Sequence, residues 1–320
     1  MHSEYFISIV YSVMKLTLVL PVLVGVAAAV PITRELLALE GDLKTQYSSD
    51  FTRDIFVKGI HSHNDYWRDV PLYTALSHGV VSVEADVWHF DGDDAVYVGH
   101  HEAALTPART FASLYIDPLV GILTQANPNN SFTAHDTAPN GVWDTDSGQT
   151  LYLFVDVKTD GNATWPYVIE ALEPLRQKGW LTTFNGTAIT SGPITVVGTG
   201  NTPYAFVKAQ KTRDYFYDGP VTLLNDTEAY PATLNPIASA SFLKTVGLEP
   251  NDIPASGLNK SQLASLTKVI DQAHELGIYT RFWEVPWWPV EKRNNLWRQL
   301  IEAGSDLLNA DDIELAFEFY

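Results

Sequence analysis

The stretch His61–Asp86 constrains the fold more than any other part of the sequence. Two apolar, strand-like runs flank Pro71–Gly79, which has the pattern of a short helix closed by a C-terminal glycine. The second run carries Glu84 and Asp86, and side chains two apart on a strand lie on the same face of a sheet. Two adjacent carboxylates repel each other unless a cation or a shared proton lies between them. The pattern therefore indicates a strand–helix–strand unit that holds a hard divalent cation such as Mg²⁺ or Ca²⁺, which prefers oxygen ligands.

Strand-like and helix-like runs alternate along the chain after residue 55, without an internal repeat or a domain linker. The predicted strands cover 55–62, 80–88, 95–101, 151–159, 193–200, 214–224, 237–242, 278–287 and 305–311, the third as a hairpin continuing the second. The predicted helices cover 71–79, 111–126 with an interruption at Pro118, 165–179, 261–277 with Asn259 or Ser261 as its cap, and 290–304. About eight strands with intervening helices predict an α/β fold, a parallel sheet closed into a (β/α)8 TIM barrel. An open doubly wound sheet is the alternative, which the lack of a glycine-rich loop after the first strand disfavours.

Polar side chains collect at the C-terminal ends of these strands, which is where a (β/α)8 barrel has its active site. They are His61 and His63, Glu84 and Asp86, His100 and His101, Asp156 and Lys158, Arg281, Trp283 and Glu284, and Asn309. Structural roles without a function in catalysis stay open for some residues. Asp156 and Lys158 could form a simple ion pair. Trp283, Trp287 and Trp288 could be aromatic residues that pack in the core or lie at the rim of the barrel. The polar run 127–149 is predicted to be a loop, in which His135 and Asp136 are solvated.

Short motifs in this framework resemble the phospholipase-C-like phosphodiesterases. The motifs are SHNDY at 62–66, VEADVW at 83–88 and VYVGHH at 96–101. That superfamily includes phosphoinositide phospholipases C, glycerophosphodiester phosphodiesterases and sphingomyelinases D. RFWEVPWWP at 281–289 and LLNADDIE at 307–314 are more similar to a fungal group, the family of altered inheritance of mitochondria protein 6. The resemblance extends from about residue 58 to the C-terminus, and it implies a phosphodiesterase of the phospholipase-C-like barrel type.

The chemistry of phosphodiester cleavage suggests a role for each of these residues. A base must activate the attacking hydroxyl and an acid must protonate the leaving oxygen, and histidine suits both near neutral pH. A metal and a lysine or arginine stabilise the negative charge on the phosphoryl oxygens. We assign Glu84, Asp86 and Asp156 as ligands of a metal, with Mg²⁺ favoured over Ca²⁺. His63 and His100 are assigned as the acid–base pair, and Lys158 is assigned to stabilise the negative charge of the phosphate. The resemblance adds Asn64 as a fourth ligand, and His61, His101, Arg281, Trp283 and Asn309 are assigned to substrate binding.

The motifs also depart from the resembled families. His61 and His101 duplicate His63 and His100, so the choice within each pair stays open. Glycerophosphodiesterases carry His-Arg where this chain has His63-Asn64, and Arg68 and Arg281 are the candidates to replace that arginine. The predicted activity is phosphoric diester hydrolysis, with water or a neighbouring substrate hydroxyl as nucleophile. The alternatives are an inactive barrel that binds a phosphorylated ligand and a glycoside hydrolase, which would use paired carboxylates across a sugar cleft.

Charge and cysteine content limit the partners. The formal net charge of −18 argues against nucleic acid and strongly anionic membranes as main partners. The chain has no cysteine, which excludes disulfides and thiolate metal sites. We therefore expect a small-molecule or lipid phosphodiester as substrate, with transient membrane contact in the case of a lipid.

The N-terminus predicts secretion. After Met14 and Lys15, the run LTLVLPVLVGVAAAV has the apolar centre and the small residues of a secretory signal. We expect a signal peptide at 1–29 that is cleaved after Ala29, a leader at 30–50 and the phosphodiesterase barrel at 51–320, with Met14 as an alternative start. An uncleaved membrane anchor at 5–30 is the rival interpretation. Acceptor sequences for N-glycosylation, at Asn129, Asn162, Asn185, Asn225 and Asn259, fit a secreted glycoprotein.

Overall fold

The structure is a computed structural model that describes residues 52–134 and 138–320. The predicted signal peptide, the leader and both candidate start residues lie outside the described residues, as do His135 and Asp136. The strands are β1 (Lys58–Ser62), β2 (Val80–Trp88), β3 (Tyr97–Val98), β4 (Leu151–Val157), β5 (Thr183–Phe184), β6 (Ile189–Thr190), β7 (Ile194–Gly200), β8 (Phe216–Tyr217), β9 (Gly219–Pro220), β10 (Ile237–Ser241), β11 (Tyr279–Trp283) and β12 (Leu308–Ala310). The helices are α1 (Tyr73–Ser77), α2 (Asp117–Ala126), α3 (Gly161–Ala171), α4 (Glu173–Gln177), α5 (Tyr204–Ala209), α6 (Phe242–Val246), α7 (Lys260–Glu275), α8 (Val290–Glu302) and α9 (Ile313–Phe317).

A parallel sheet forms the centre of the fold. Its strands are ordered β12-β1-β2-β4-β7-β8, and β3 pairs antiparallel with β2 as the predicted hairpin. A second parallel sheet has the order β11-β10-β9. The first described strand β1 pairs with the last strand β12, and the order within each sheet otherwise follows the chain. Strands β5 and β6 pair antiparallel with each other outside both sheets. An open doubly wound sheet would reverse its order at a switch point, so that alternative does not fit.

The predicted closed barrel is found only in part, because hydrogen bonding does not run continuously around the described strands. Between the two sheets the chain passes through Asp218, and β8 and β9 pair with different neighbours, β7 and β10. One strand was predicted there, but Pro220 has no N–H to extend a ladder. At the other seam a single parallel bridge joins Arg281 to Leu307, next to β12. The fold is therefore α/β with parallel sheets.

Two predicted helices differ in detail from the observed ones. The helix predicted at 165–179 begins earlier, because Asp160 caps α3 by accepting a hydrogen bond from the N–H of Ala163. It also divides into α3 and α4, since Pro174 has no N–H to continue the ladder. The run 111–126 is helical throughout, and the wider π-helical stretch Ala112–Ile116 leads into α2 with Pro118 in its first turn. Among the helices of the described residues, none combines the length and the apolar composition needed to cross a membrane.

Helix α7 shows how the outer helices cover the sheets. Asn259 caps it with a capping box that also involves Gln262, as one of the two predicted caps. Leu266, Ile270 and Ala273 are its buried residues, and their spacing places them on one face of the helix. Each large apolar side chain buried in this way stabilises the fold by roughly 1.5–3 kcal/mol. The helices thereby hold the strand ends, which carry the polar residues, in fixed positions.

Candidate active site

Three carboxylates lie together at the ends of β2 and β4. Asp86 pairs directly with Asp156 in the register of the two strands, and Glu84 precedes Asp86 by two residues on the same face. One oxygen from each carboxylate lies within 4.8 Å of the other two. Glu84 and Asp86 are buried, so the repulsion between their charges is only weakly screened by water. The cluster that the sequence predicts is thus formed by strand pairing.

Two further features of this cluster fit a cation. Asp86 Oδ1 is buried and has no hydrogen-bond partner within the described residues, and an unsatisfied buried oxygen costs free energy. Gly200, at the end of β7, leaves space for the Asp156 carboxylate, since a β-carbon there would lie 2.0 Å from Asp156 Oδ1. The donors are carboxylate oxygens, which suit Mg²⁺ or Ca²⁺ better than a softer metal.

Lys158 lies against the same cluster. Its Nζ is 2.7 Å from Asp156 Oδ2 and 2.9 Å from Asp86 Oδ2, so the ion pair considered from the sequence is present and Asp86 shares it. Burial raises the pKa of Asp156 to about 6, against the opposing effect of Lys158 and with a contribution from Asp86. Burial, followed by the charge of Glu84, also raises the pKa of Asp86. The pKa of both carboxyl groups thus stays raised although Lys158 pairs with them.

Glu84 is held as a carboxylate from two sides. The backbone N–H of Asn64, a residue with a φ of 51°, donates to Glu84 Oε2 at 3.1 Å. His61 Nε2 lies 3.6 Å from Oε2, and Arg281 Nη1 lies 3.7 Å from Oε1. Burial favours the neutral acid, but the positive charge of Arg281 holds the pKa of Glu84 well below its usual value.

His63 lies between Glu84 and the end of β12. Its Nδ1 is 2.8 Å from Asp311 Oδ1, and its Nε2 is 3.7 Å from Glu84 Oε2. Burial lowers the pKa of His63, but the hydrogen bond to Asp311 and the charge of Glu84 outweigh it and leave the pKa raised. One third of the side chain is exposed, so a small molecule can reach the ring.

His100 contacts Asp86. Its Nδ1 lies 3.3 Å from Asp86 Oδ2 and 3.1 Å from the Tyr66 hydroxyl, which itself donates to Asp86 Oδ2 at 2.7 Å. The ring packs against Trp67, with the centroids 5.0 Å apart, and against His101, with the centroids 4.3 Å apart. His100 is thus in contact with the cluster and half-buried, whereas His101 is exposed beside it.

His61 and Arg281 lie behind Glu84, with relative exposures of 0% and 3%. His61 Nδ1 is 2.7 Å from Ser82 Oγ, and its Nε2 is 2.9 Å from Arg281 Nη1. Burial and the positive charge of Arg281 lower the pKa of His61 to about 3, so the ring is neutral. Because both side chains are buried, a substrate cannot reach them. Their contacts fit a role in supporting Glu84 better than the substrate binding assigned from the sequence.

The remaining residues assigned from the sequence differ in how accessible they are. Asn309 accepts a hydrogen bond from Arg281 at 3.2 Å and is nearly buried, while Trp283 is 38% exposed at the end of β11. The guanidinium of Arg68 donates to Ser62 Oγ at 3.1 Å and to the carbonyl of His63 at 2.9 Å. These bonds brace the end of β1 and occupy the guanidinium of Arg68. Since Arg281 is buried, neither arginine offers a free guanidinium to a phosphate.

The sequence reasoning missed three residues of the site. Asp311 is not among the residues assigned from the sequence, although the pairing of β1 with β12 places the residues after both strands side by side. Tyr66 bonds Asp86 and also contacts Asn64 Oδ1, and its position within SHNDY was the available signal. Asp218, buried 3.3 Å from Arg281 Nη2, lies between the short strands β8 and β9, where the sequence pattern is weak.

Comparison with known proteins places these features in a family context. Residues 49–218 match the AIM6-like phosphodiesterase domain. The altered inheritance of mitochondria protein 6 homolog of Arthroderma benhamiae is 47% identical over 282 residues, which cover 86% of this chain and 88% of that protein. Altered inheritance of mitochondria protein 6 of Candida glabrata is 35% identical over 307 residues, covering 87% and 74%.

A solved structure shows a weaker likeness. A glycerophosphodiester phosphodiesterase from Parabacteroides distasonis covers 82% of this chain and 97% of its own, with 12% identity and a TM-score of 0.44.

Proposed function

The chain belongs to the altered inheritance of mitochondria protein 6 family, and from that premise we propose that it is a phosphoric diester hydrolase that depends on a divalent cation. The carboxylate cluster of Glu84, Asp86 and Asp156 carries the proposal. It combines close oxygens with a buried Asp86 Oδ1 that has no hydrogen-bond partner among the described residues. These three residues would hold the cation, with Asn64 as a further oxygen donor. A bound cation would supply Lewis-acid polarisation of the phosphoryl oxygens.

His63 serves as the base in this proposal. Because the Asp311 carboxylate can only accept a hydrogen bond, it holds the proton on Nδ1 and leaves the Nε2 lone pair to accept a proton. The proton comes from the nucleophile, which is water or a neighbouring hydroxyl of the substrate. Partial exposure of the ring allows that contact.

His100 serves as the acid, and Lys158 balances charge. The hydrogen bonds of His100 Nδ1 to Tyr66 and Asp86 fix the ring, so that Nε2 can donate a proton to the leaving oxygen. Lys158 places an ammonium group beside the cluster, where the phosphoryl oxygens gain negative charge. The substrate class is a small-molecule or lipid phosphodiester.

We also infer that the parallel strands form the closed barrel expected from the sequence. Pairing of β1 with β12, the bridge between Arg281 and Leu307, and the continuity of β8 with β9 support this inference. In such a barrel all the polar strand ends meet at one mouth.

Hydrolysis of bis(p-nitrophenyl) phosphate by the purified chain tests the proposal. We expect turnover that EDTA abolishes and that added Mg²⁺ or Ca²⁺ restores. Asp86→Asn should remove both activity and cation binding, while Asp271→Asn, on the exposed face of α7, should change neither.

Two outcomes would contradict the proposal. Full activity in EDTA or in Asp86→Asn would exclude the cation-dependent mechanism. Cation binding without hydrolysis of any diester in a panel that includes lysophospholipids and glycerophosphodiesters would indicate a ligand-binding protein instead.

A further inference from the structure

A cavity of about 580 Å³ opens beside the candidate active site. His63, Asn309 and Asp311 line one of its sides, so it is continuous with the face of the site that carries the proposed base. The lining also includes residues 284–288, which follow β11, and Arg293 and Trp297 from the first two turns of α8. A ligand whose phosphate lies at the carboxylate cluster could therefore extend into this cavity.

Exposed aromatic rings are the first property of the cavity. Trp287 and Trp288 are 74% and 65% exposed, and their ring centroids lie 6.3 Å apart. A contiguous exposed apolar patch rimmed by polar residues is typical of a binding site. In the same lining, the guanidinium of Arg293 lies 4.6 Å from the ring centroid of Trp297, so an aromatic face here already accepts a cation.

Negative charge is the second property. The lining contains three carboxylates, Glu284, Asp311 and Asp312, but a single permanent cation, Arg293. Arg293 lies 3.2 Å from Asp312, which leaves Glu284 and Asp311 without a permanent cation of the lining beside them. Asp311 has Arg68 nearby, outside the lining, where its guanidinium donates to the backbone carbonyl of Asp311. Glu284 and Asp311 therefore carry the negative charge that faces the cavity. Both side chains are exposed, and Asp311 faces the imidazole of His63. An anionic group would be repelled by this lining, and an acyl chain would have to desolvate the carboxylates without replacing their partners.

We propose that this cavity binds the quaternary ammonium group of a zwitterionic phosphodiester, so that the substrate is a choline-type ester. The inference rests on the proposed function for the position of the phosphate. The ammonium group would lie against the faces of Trp287 and Trp288, where cation–π attraction operates, and near the carboxylates of Glu284 and Asp311. Ring faces combined with carboxylates favour a weakly hydrated, permanently charged cation over a neutral group of the same shape.

Equilibrium binding compares two ligands that differ only in this charge. Phosphocholine and its neutral carbon isostere, 3,3-dimethylbutyl phosphate, are titrated by calorimetry into the full chain at saturating Mg²⁺. We expect phosphocholine to bind about tenfold more tightly. Trp287→Leu and Glu284→Gln should each bring the ratio towards one, whereas Phe132→Leu, at a loop position that is 91% exposed, should leave it unchanged.

Equal binding of the two ligands would overturn the inference. Tighter binding of the isostere would also overturn it and would indicate an apolar pocket. Turnover of the matching p-nitrophenyl esters separates this inference from the proposed function. Hydrolysis of both esters at equal kcat/KM would refute the ammonium site and leave the phosphodiesterase intact. A tenfold binding preference without hydrolysis of either ester would support the ammonium site and refute the phosphodiesterase.

Discussion

Histidine residues only two positions apart acquire different chemistry from their surroundings. His61 points into the fold, where Ser82 and Arg281 occupy both ring nitrogens. His63 lies beyond the end of β1, where Asp311 holds one nitrogen and the rest of the ring is accessible. The sequence alone offered both as candidates, and burial decides between them.

Removal of the proposed base or acid gives the sharpest residue-scale prediction. His63→Gln and His100→Gln should each lower kcat by about 10²–10⁴-fold, the usual contribution of general acid–base catalysis. Cation affinity should change little, because neither ring is a proposed ligand. Steady-state kinetics measures kcat, and calorimetric titration measures cation affinity. His78→Gln, at the C-terminal end of α1, is the matched control. A variant that lost cation binding together with activity would contradict the separation of roles.

Cation binding should weaken in acid. Burial and the neighbouring carboxylates raise the pKa of Asp156 to about 6, so this ligand takes up a proton as the pH falls through that value. A protonated carboxyl competes with the cation, and affinity should fall up to about tenfold per pH unit below 6. Calorimetric titration with Mg²⁺ at pH 7.5 and pH 5 measures the change. A pH-independent affinity would show that Asp156 is not a ligand.

At the scale of elements, strand order and register explain why the site could be predicted. The sequence marked the ends of β1, β2 and β4 by polar residues that follow apolar runs, and parallel pairing brings such ends to one edge. Alternation along β2 and β4 then gave the shared face of Glu84, Asp86 and Asp156. These conclusions needed only the period of a strand.

Contacts between distant elements could not be predicted in the same way. Asp311 reaches His63 only because β12 pairs with β1, and Arg281 reaches Glu84 from β11 across the interior. The interruption at Asp218 follows from local pairing of two short strands with different neighbours. Periodicity carries no information on such choices, which are decided by packing.

Gly200 provides an element-scale test, because it ends β7 with a φ of 62° beside Asp156. Gly200→Ala should strain the backbone by about 1–3 kcal/mol and displace the Asp156 carboxylate, with loss of cation affinity. Gly247→Ala is the matched control, since its φ is 67° but no atom lies within 4 Å of the added carbon. Both variants should unfold at lower temperature, and only Gly200→Ala should lose cation binding. Equal affinity in the two variants would argue against Asp156 as a ligand.

At the scale of the whole molecule, the asparagines of the five glycosylation sequences share one property. All five are exposed, so an attached glycan would not disturb the core: Asn129, Asn162, Asn185, Asn225 and Asn259. Glycosylation also requires that the chain enters the secretory pathway. The combination of these surface positions with the predicted signal peptide is what makes secretion testable.

Expression of the full chain in a fungal host tests secretion and glycosylation together. We expect the protein in the medium, with Val30 as its first residue and a mass that falls when N-glycans are removed enzymatically. Asn259 needs a careful variant, because it also caps α7, and its replacement should cost about 1 kcal/mol of stability. Ser261→Ala destroys the acceptor sequence and keeps the cap, so it should remove one glycan without lowering the unfolding temperature. A cell-associated protein that keeps residues 5–30 would support the membrane-anchor interpretation, and an unchanged mass after glycan removal would refute glycosylation.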